Sequence, residues 1–496
     1  MLTHDFRAPA GALRQSERMK APGEDQDELA RLRAENEVLR KDVEALARSL
    51  QEAEGSLGWL LTQKARQLID FVAPKGSRRR SVVIRGLSSL RPWVQDGFRT
   101  TARATVVEAR ESVHLARLRR RAGPGAEGAP GSVLFVSGSF GAMERYRCAT
   151  PREQLALAGV RSVLRRGAGA GIVGEAERHD LLVLHRIPFS TAVARIVEAA
   201  KRHGAPVLFD VDDLVFDPGL MERIDALQWM EPAEAALFRD SLERYRRTLA
   251  LCDGAIVPTE PLAEAVRALG MPAWVHRNAP SLDLLELSEA ARQKRKSDPS
   301  RVVLGYASGS RTHNRDFLEA SPALLTLFAE NPAVELHLIG YLDLGPEWGP
   351  FLPRVKKLEY VPWRRLPTVL ATFDVNLAPL EHGNPFCEAK SELKWVEAAA
   401  VEVPTIASPT APYRSAIRHG SDGYLASTSE EWLVALRALA GDAGHRAAVG
   451  AAARASLLDR YHPSRMGSAL AAILSGVGDR GPRTGAASDR TLESGT

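Results

Sequence analysis

The chain has 496 residues, too many for one ordinary core, so two or three domains are expected. Its 45% hydrophobic and 26% charged residues are those of a globular protein, and no run of about 18 apolar residues suggests a membrane span. A formal net charge of +5 is small for this length; it gives no reason to expect a nucleic-acid partner and suits an anionic ligand or an acidic membrane surface. Cys148, Cys252 and Cys387 lie far apart, without metal-type spacing, and read as reduced thiols. With no apolar core in its first twenty residues to act as a secretion signal, the protein is expected in the cytoplasm, or at the inner face of a membrane.

Residues 1–25 read as disordered. Over 26–57, Leu29, Leu32, Asn36, Leu39, Val43, Leu46, Leu50, Ala53 and Leu57 recur three and four apart. That is a coiled-coil heptad with Asn36 at an a position, and it predicts a homodimer. Residues 58–121 form a basic helical region, with "KGSRRR" and "ARLRRRAG" near Trp59, Leu60, Leu61 and Phe71. It suits either an acidic membrane surface, as a peripheral contact, or packing on the dimer. Residues 122–131, "AGPGAEGAPG", read as a flexible linker.

From Ser132 onward, short apolar runs end in polar residues and alternate with helical patterns. "SVLFVSG", "DLLVLHR", "APVLFDVDD", "DGAIVPT" and "PAWVHRNAP" form one series. "RVVLGYASGS", "VELHLIG", "VKKLEYV", "FDVNLAPL", "VPTIAS" and "GYLAS" form a second. These are buried parallel strands with crossover helices, and they predict α/β architecture: two Rossmann-like domains, 132–285 and 300–475, facing a cleft. Residues 476–496 read as a disordered tail.

Ligands of such sheets bind beyond the carboxyl ends of the strands. After "FDVNLAPL" comes "EHGNPFCEAKSELKWVEAAA", predicted as a loop to Ala389 and a helix over 390–400. Lys390, Lys394 and Glu397 would then share one helical face near the N-terminus. Cations are disfavoured there by the helix dipole unless an anion sits between them and the free N–H groups. The composite is a nucleoside-diphosphate seat, with Ser391 adding a hydroxyl and Glu397 accepting from ribose hydroxyls. The plain alternative is a surface helix laced by Glu and Lys. A second strand exit, Gly309 to His313, offers a Gly-Ser turn with Arg311 or His313 to meet phosphate. In the first domain Gly141, Tyr146 and Arg147 follow one strand, and His185 and Arg186 end another. Asp210, Asp212 and Asp213 could hold a divalent metal or cap a helix on the acceptor side; no second cluster accompanies them, which favours a metal-free site.

Together "GYASGSRTHNRDF", the stretch just described, "YRSAIRHGSDGYL" and "EEWLVALRAL" make the chain resemble the GT-B glycosyltransferases over roughly residues 132–465, close to the retaining enzymes of family 4. The resemblance implies transfer of a sugar from a nucleotide-sugar, itself a substrate so that no cofactor is called for, to a glycan or lipid-linked acceptor such as a cell-surface polysaccharide or glycolipid. It implies a donor held by the second domain and an acceptor held by the first, with Gly141, Tyr146, Arg147, Asp212 and Asp213 expected on the acceptor side and His185 and Arg186 as the candidate catalytic residues. It gives Glu397 the ribose, Lys390, Ser391, Lys394, Gly309, Ser310 and His313 the diphosphate, Asn384, Pro385 and Phe386 the donor-sugar loop, and His185 a place near the reacting centre. One position departs: Ala389 stands where family 4 enzymes often carry a first glutamate. Two other readings share the fold, a nucleotide-sugar 2-epimerase and an inactive GT-B scaffold organised by its coiled coil.

Overall fold

A computed structural model describes residues 102–122, 128–217, 219, 232–296, 298–308, 314–340, 342–358 and 361–478. The segments expected as a disordered N-terminus (1–25), a coiled coil (26–57), most of a basic helical region (58–121) and a diphosphate loop (Gly309, Ser310, Arg311, His313) lie outside them.

Two six-stranded sheets carry the fold, and every pairing within them is parallel. The first holds β1 (Ser132–Ser137), β2 (Arg161–Arg166), β3 (Leu181–His185), β4 (Val207–Asp210), β5 (Gly254–Val257) and β6 (Ala273–Val275), in the order 2-1-3-4-5-6. The second holds β7 (Val302–Ala307), β8 (Val334–Ile339), β9 (Val355–Leu358), β10 (Val375–Ala378), β11 (Thr405–Ala407) and β12 (Tyr424–Leu425), in the order 12-11-10-7-8-9. Strand order therefore reverses between β1 and β3, and between β7 and β10. A crevice opens at such a reversal, and ligands enter it. At the first one, Gly138 is obligatory, because a Cβ there would stand 2.4 Å from the Arg186 carbonyl oxygen.

All strands but one match an apolar run. β2 does not: "RSVLRR" is an edge strand with only Leu164 fully buried, so its charged residues face water and hide the period.

The domain borders differ from a simple division at the charged break. The helix Leu282–Gln293 already packs with the second domain, through Leu285 and Ala291. The final helix, Pro463–Gly478, returns to the first domain, where Leu470, Ala471, Leu474 and Val477 join Val133, Phe135 and Leu155. Helix therefore continues through Gly478, past the predicted end of order at 475. The helix Ala102–Ala122 lies against Thr150–Leu157, with Glu111 accepting from Arg152 at 2.7 Å, so this part of the basic region docks on the first domain. Among the described residues no helix is long and apolar enough to cross a membrane.

Gly467 marks the closest approach of the returning helix: a Cβ there would lie 2.1 Å from the Gln154 carbonyl oxygen. Gly467→Ala should destabilise the protein by about 1–3 kcal/mol, as overpacking does. Gly476→Ala in the same helix meets nothing within 4 Å and should be neutral or stabilising, since alanine favours helix. Thermal unfolding of the two variants checks this contrast.

Candidate functional site

The charged stretch after β10 is built differently from one continuous helix. Asn384 caps a four-residue helix, Pro385–Glu388, its Oδ1 accepting from the Phe386 N–H at 3.0 Å. The chain then breaks, and the main helix runs only over Leu393–Ala400. Lys390 and Ser391 therefore precede that helix rather than share a face with Glu397, while Lys394 and Glu397 remain one turn apart on it. Glu392, which reads as a surface residue, is wholly buried; it accepts from Arg277 at 2.8 Å and from the Tyr461 hydroxyl at 2.5 Å.

Lys394 is the centre of the site. Its Nζ is out of solvent, has no hydrogen-bond partner among the described residues, and lies 4.5 Å from the centroid of the Tyr306 ring on β7. Burial pushes its pKa down to about 8; the Asp316 carboxylate pulls the other way, and the Lys390 charge adds to the depression. Glu397 is pushed up by burial, against the pull of the Arg145 charge, the Tyr146 hydrogen bond and Lys394. Lys394 and Tyr306 meet at the β7–β10 reversal, the place the strand order assigns to a ligand.

Other residues of the seat face neighbours. Lys390 Nζ lies 4.8 Å from the Phe386 ring centroid. The Ser391 hydroxyl accepts from the Asn278 amide at 2.9 Å. Of the donor-sugar loop, Phe386 packs against the first domain's core and Pro385 borders a cavity of about 360 Å³, shared with Leu214, Asp217 and Pro261 of the first domain and with Glu388. Ala389 is buried, and its carbonyl accepts from the Thr259 hydroxyl of the first domain at 2.9 Å.

The first-domain candidates divide. Tyr146 crosses to the second domain and donates to Glu397 Oε1 at 2.5 Å. Arg147 does not reach the cleft. It is wholly buried, bidentate to Asp210 at 2.9 and 2.8 Å, and also donates to the His276 carbonyl at 2.7 Å and the Asn278 Oδ1 at 3.1 Å. Its place is a structural one inside the domain, which corrects its assignment to the acceptor side. Gly141, with φ 73°, starts the short helix Ala142–Glu144, and no atom stands near its missing Cβ.

His185 is wholly buried, with Nδ1 3.1 Å from Ser137 Oγ and 3.2 Å from Ser139 Oγ, while Nε2 has no partner. Burial holds its pKa well below the ordinary value, the Arg186 and Arg147 charges adding, so the ring is neutral. Arg186, in the left-handed region at φ 41°, donates to Asp212 at 2.8 Å and Asp213 at 3.0 Å. Asp212 and Asp213 thus share one guanidinium at this strand exit, and among the described residues no three His, Cys, Asp or Glu side chains are grouped to hold a metal.

Arg145 escapes a reading of the sequence. It stands at the head of a π-helical turn, Arg145–Ala149, and its Nη2 lies 4.0 Å from Glu397 Oε1. The only hint is its place in "RYR" just past a strand exit, since π-helical geometry leaves no sequence period.

Residues 314–472 match a family model described as glycosyl transferase-like, so the segment that carries Lys394 and Glu397 is of that kind. No curated protein matches the chain. Among solved structures, Anabaena HepE in complex with UDP is similar at 16% identity and TM-score 0.48, over 70% of this chain and 100% of that one. Staphylococcus aureus TarM is similar at 14% identity and TM-score 0.39, over 61% and 57%. A Listeria monocytogenes putative UDP-N-acetylglucosamine 2-epimerase is similar at 14% identity and TM-score 0.42, over 71% and 98%.

Arg147→Met should cost about 3–5 kcal/mol, because it leaves Asp210 buried without its partner. Lowered thermal stability checks it, and an unchanged melting temperature would contradict the strut.

Proposed function

We propose that this protein is a glycosyltransferase of GT-B architecture that moves a sugar from a nucleoside-diphosphate sugar to a cell-surface glycan or glycolipid acceptor, with retention and without a bound metal. The observation that carries it is Lys394: a buried ammonium with no hydrogen-bond partner among the described residues, set over the Tyr306 ring one turn from a carboxylate, at the crevice of a sheet whose segment matches a glycosyl transferase-like family. A buried cation left unpaired is costly unless an anion completes it. A diphosphate is such an anion, and Glu397 stands where ribose hydroxyls can donate to it.

In the reaction the bond between the anomeric carbon and the diphosphate oxygen breaks, and both electrons leave with the diphosphate. The acceptor oxygen bonds to that carbon and passes its proton to the departing diphosphate oxygen. Stabilising the leaving charge is the main demand, and preorganised cations meet it. Lys394 and Lys390 serve that purpose; no carboxylate pair at glycosidase spacing is needed.

A nucleoside diphosphate from a panel of bases should raise the melting temperature, and Lys394→Ala should abolish the shift. No shift with any of them would defeat the reading. Free diphosphate released from a sugar nucleotide, and lost in Glu397→Ala, separates a transferase from a binding scaffold. The affinity should also depend on pH. With the empty-site Lys394 pKa at about 8, the ammonium is present below pH 8 and must be recharged above it, so binding is strongest on the acid side and weakens as pH rises through that value. Lys394→Arg should flatten the profile.

The heptad of residues 26–57 would make the protein a homodimer, and the basic region beside it would hold it near a lipid-linked acceptor. Deletion of residues 1–101, which spares the docked helix Ala102–Ala122, should give a monomer that still binds nucleotide. A truncated protein that sediments as a dimer would contradict that role.

A further inference from the structure

Glu397 does not face an open crevice. The Tyr146 hydroxyl of the first domain donates to its Oε1 at 2.5 Å, and Arg145 Nη2 stands 4.0 Å from the same oxygen. The Arg145 guanidinium lies over two rings from opposite domains, 4.1 Å from the Tyr146 centroid and 4.8 Å from that of Trp363. Its side chain is 13% exposed, and its Nε is buried without a partner. Lys394 Nζ, from the other domain, is in the same condition.

The carboxylate lies under the charges of Arg145 and Lys394, and Lys394 in turn feels Asp316 and Lys390. Asp316 is already held in place, its Oδ1 accepting from the Glu381 N–H at 3.0 Å and lying 3.1 Å from Cys387 Sγ. Two buried, unsatisfied N–H groups on cations from opposite domains describe a seat whose anion is supplied by a ligand. The π-helical turn gives Arg145, Tyr146 and Arg147 three separate targets: the ring stack, Glu397 and Asp210. Turns of this kind recur at functional sites.

We propose that Arg145 and Tyr146 form a cross-domain gate on the nucleoside-diphosphate seat: Tyr146 caps Glu397 while the seat is empty, ribose hydroxyls take its place when the ligand enters, and Arg145 turns from Glu397 to the diphosphate. The inference rests on the function proposed above. It assigns to the first domain a charge that reads the donor's diphosphate, so the seat is complete only when both domains contribute. It also makes two adjacent residues act in opposite directions, because Arg145 strengthens ligand binding and Tyr146 competes with it.

Isothermal titration of the full chain with the four common nucleoside 5′-diphosphates, and with the matching nucleosides, tests this. Arg145→Gln should weaken the bound diphosphate about tenfold or more, the scale of a lost hydrogen bond to a charged group, and leave the nucleoside unaffected. Arg145→Lys should recover part of the loss. Tyr146→Phe, which keeps the ring, should tighten the diphosphate by about threefold to tenfold, since no hydroxyl remains to be displaced. If Lys394→Ala abolishes binding while Arg145→Gln leaves it unchanged, the gate is refuted and the function stands. A Tyr146→Phe variant that binds more weakly than the wild type also overturns it. A wild type that binds none of the diphosphates refutes the function itself. Should Arg145→Gln fail to fold, Arg145→Lys and Tyr146→Phe still decide by their opposite signs.

Discussion

The buried Arg147–Asp210 pair is the interaction on which the relation of the two domains depends. A guanidinium with no exposure at all holds both oxygens of a carboxylate at the end of β4, and its remaining N–H groups reach the His276 carbonyl and the Asn278 side chain. Those last two residues belong to the crossing segment between β6 and the helix Leu282–Gln293. Removing such a pair whole can be neutral, but removing one partner leaves a bare charge in a dry interior. The strut therefore fixes where the chain leaves the first domain.

That geometry is passed on by further polar contacts. Asn278 donates to Ser391, Arg277 to Glu392, and Glu153 accepts from the Leu282 N–H at 2.7 Å, pinning the start of the second domain's first helix. Gln154 meets His276 Nε2 at 2.8 Å. The first two contacts join the crossing segment to the residues just before Lys394, and the last two join the helix after the π-helical turn to the crossing segment and to the helix it leads into. The fold thus uses neighbouring residues of one turn for two purposes. Arg147 points inward and ties β4 to the crossing segment, while Tyr146 and Arg145 point across the crevice at Glu397. A hydrogen bond to a charged group is worth about 1.5–3 kcal/mol, enough to hold the crevice closed on Glu397 and weak enough to yield to a ligand.

Most of the architecture was legible in the sequence because parallel strands are buried on both faces and read as unbroken apolar runs. "SVLFVSG" and "FDVNLAPL" are of this kind; "RSVLRR" at a sheet edge is not. Lys394 and Glu397 were legible from their place after a strand, but the break at Ala389 to Glu392 was not, since nothing in local propensity forbids a helix through "AKSELKW". What stops it is tertiary: Ser391 and Glu392 are held by Asn278, Arg277 and Tyr461, residues over sixty positions away in the chain. The same reason hid Arg145 and misplaced Arg147. Both are arginines beside a strand exit, and only the turn's geometry and the position of Asp210 separate the one that faces the crevice from the one that does not.

Ala389 shows how far this logic reaches. Read against the family pattern, it is a missing glutamate. In the fold it is a buried residue in the first domain's apolar cluster, beside Phe386, with its carbonyl bonded to Thr259. A carboxylate there would have to be buried among apolar neighbours, and an unpaired buried charge is strongly disfavoured. The alanine therefore belongs with the contact between the donor-sugar loop and the first domain, as Phe386 and Thr259 do. Glu388, the adjacent carboxylate, borders with Ala389 the cavity that Asp217 lines from the opposite domain. The polar groups near the loop come from both sides of the crevice, as they do at Glu397.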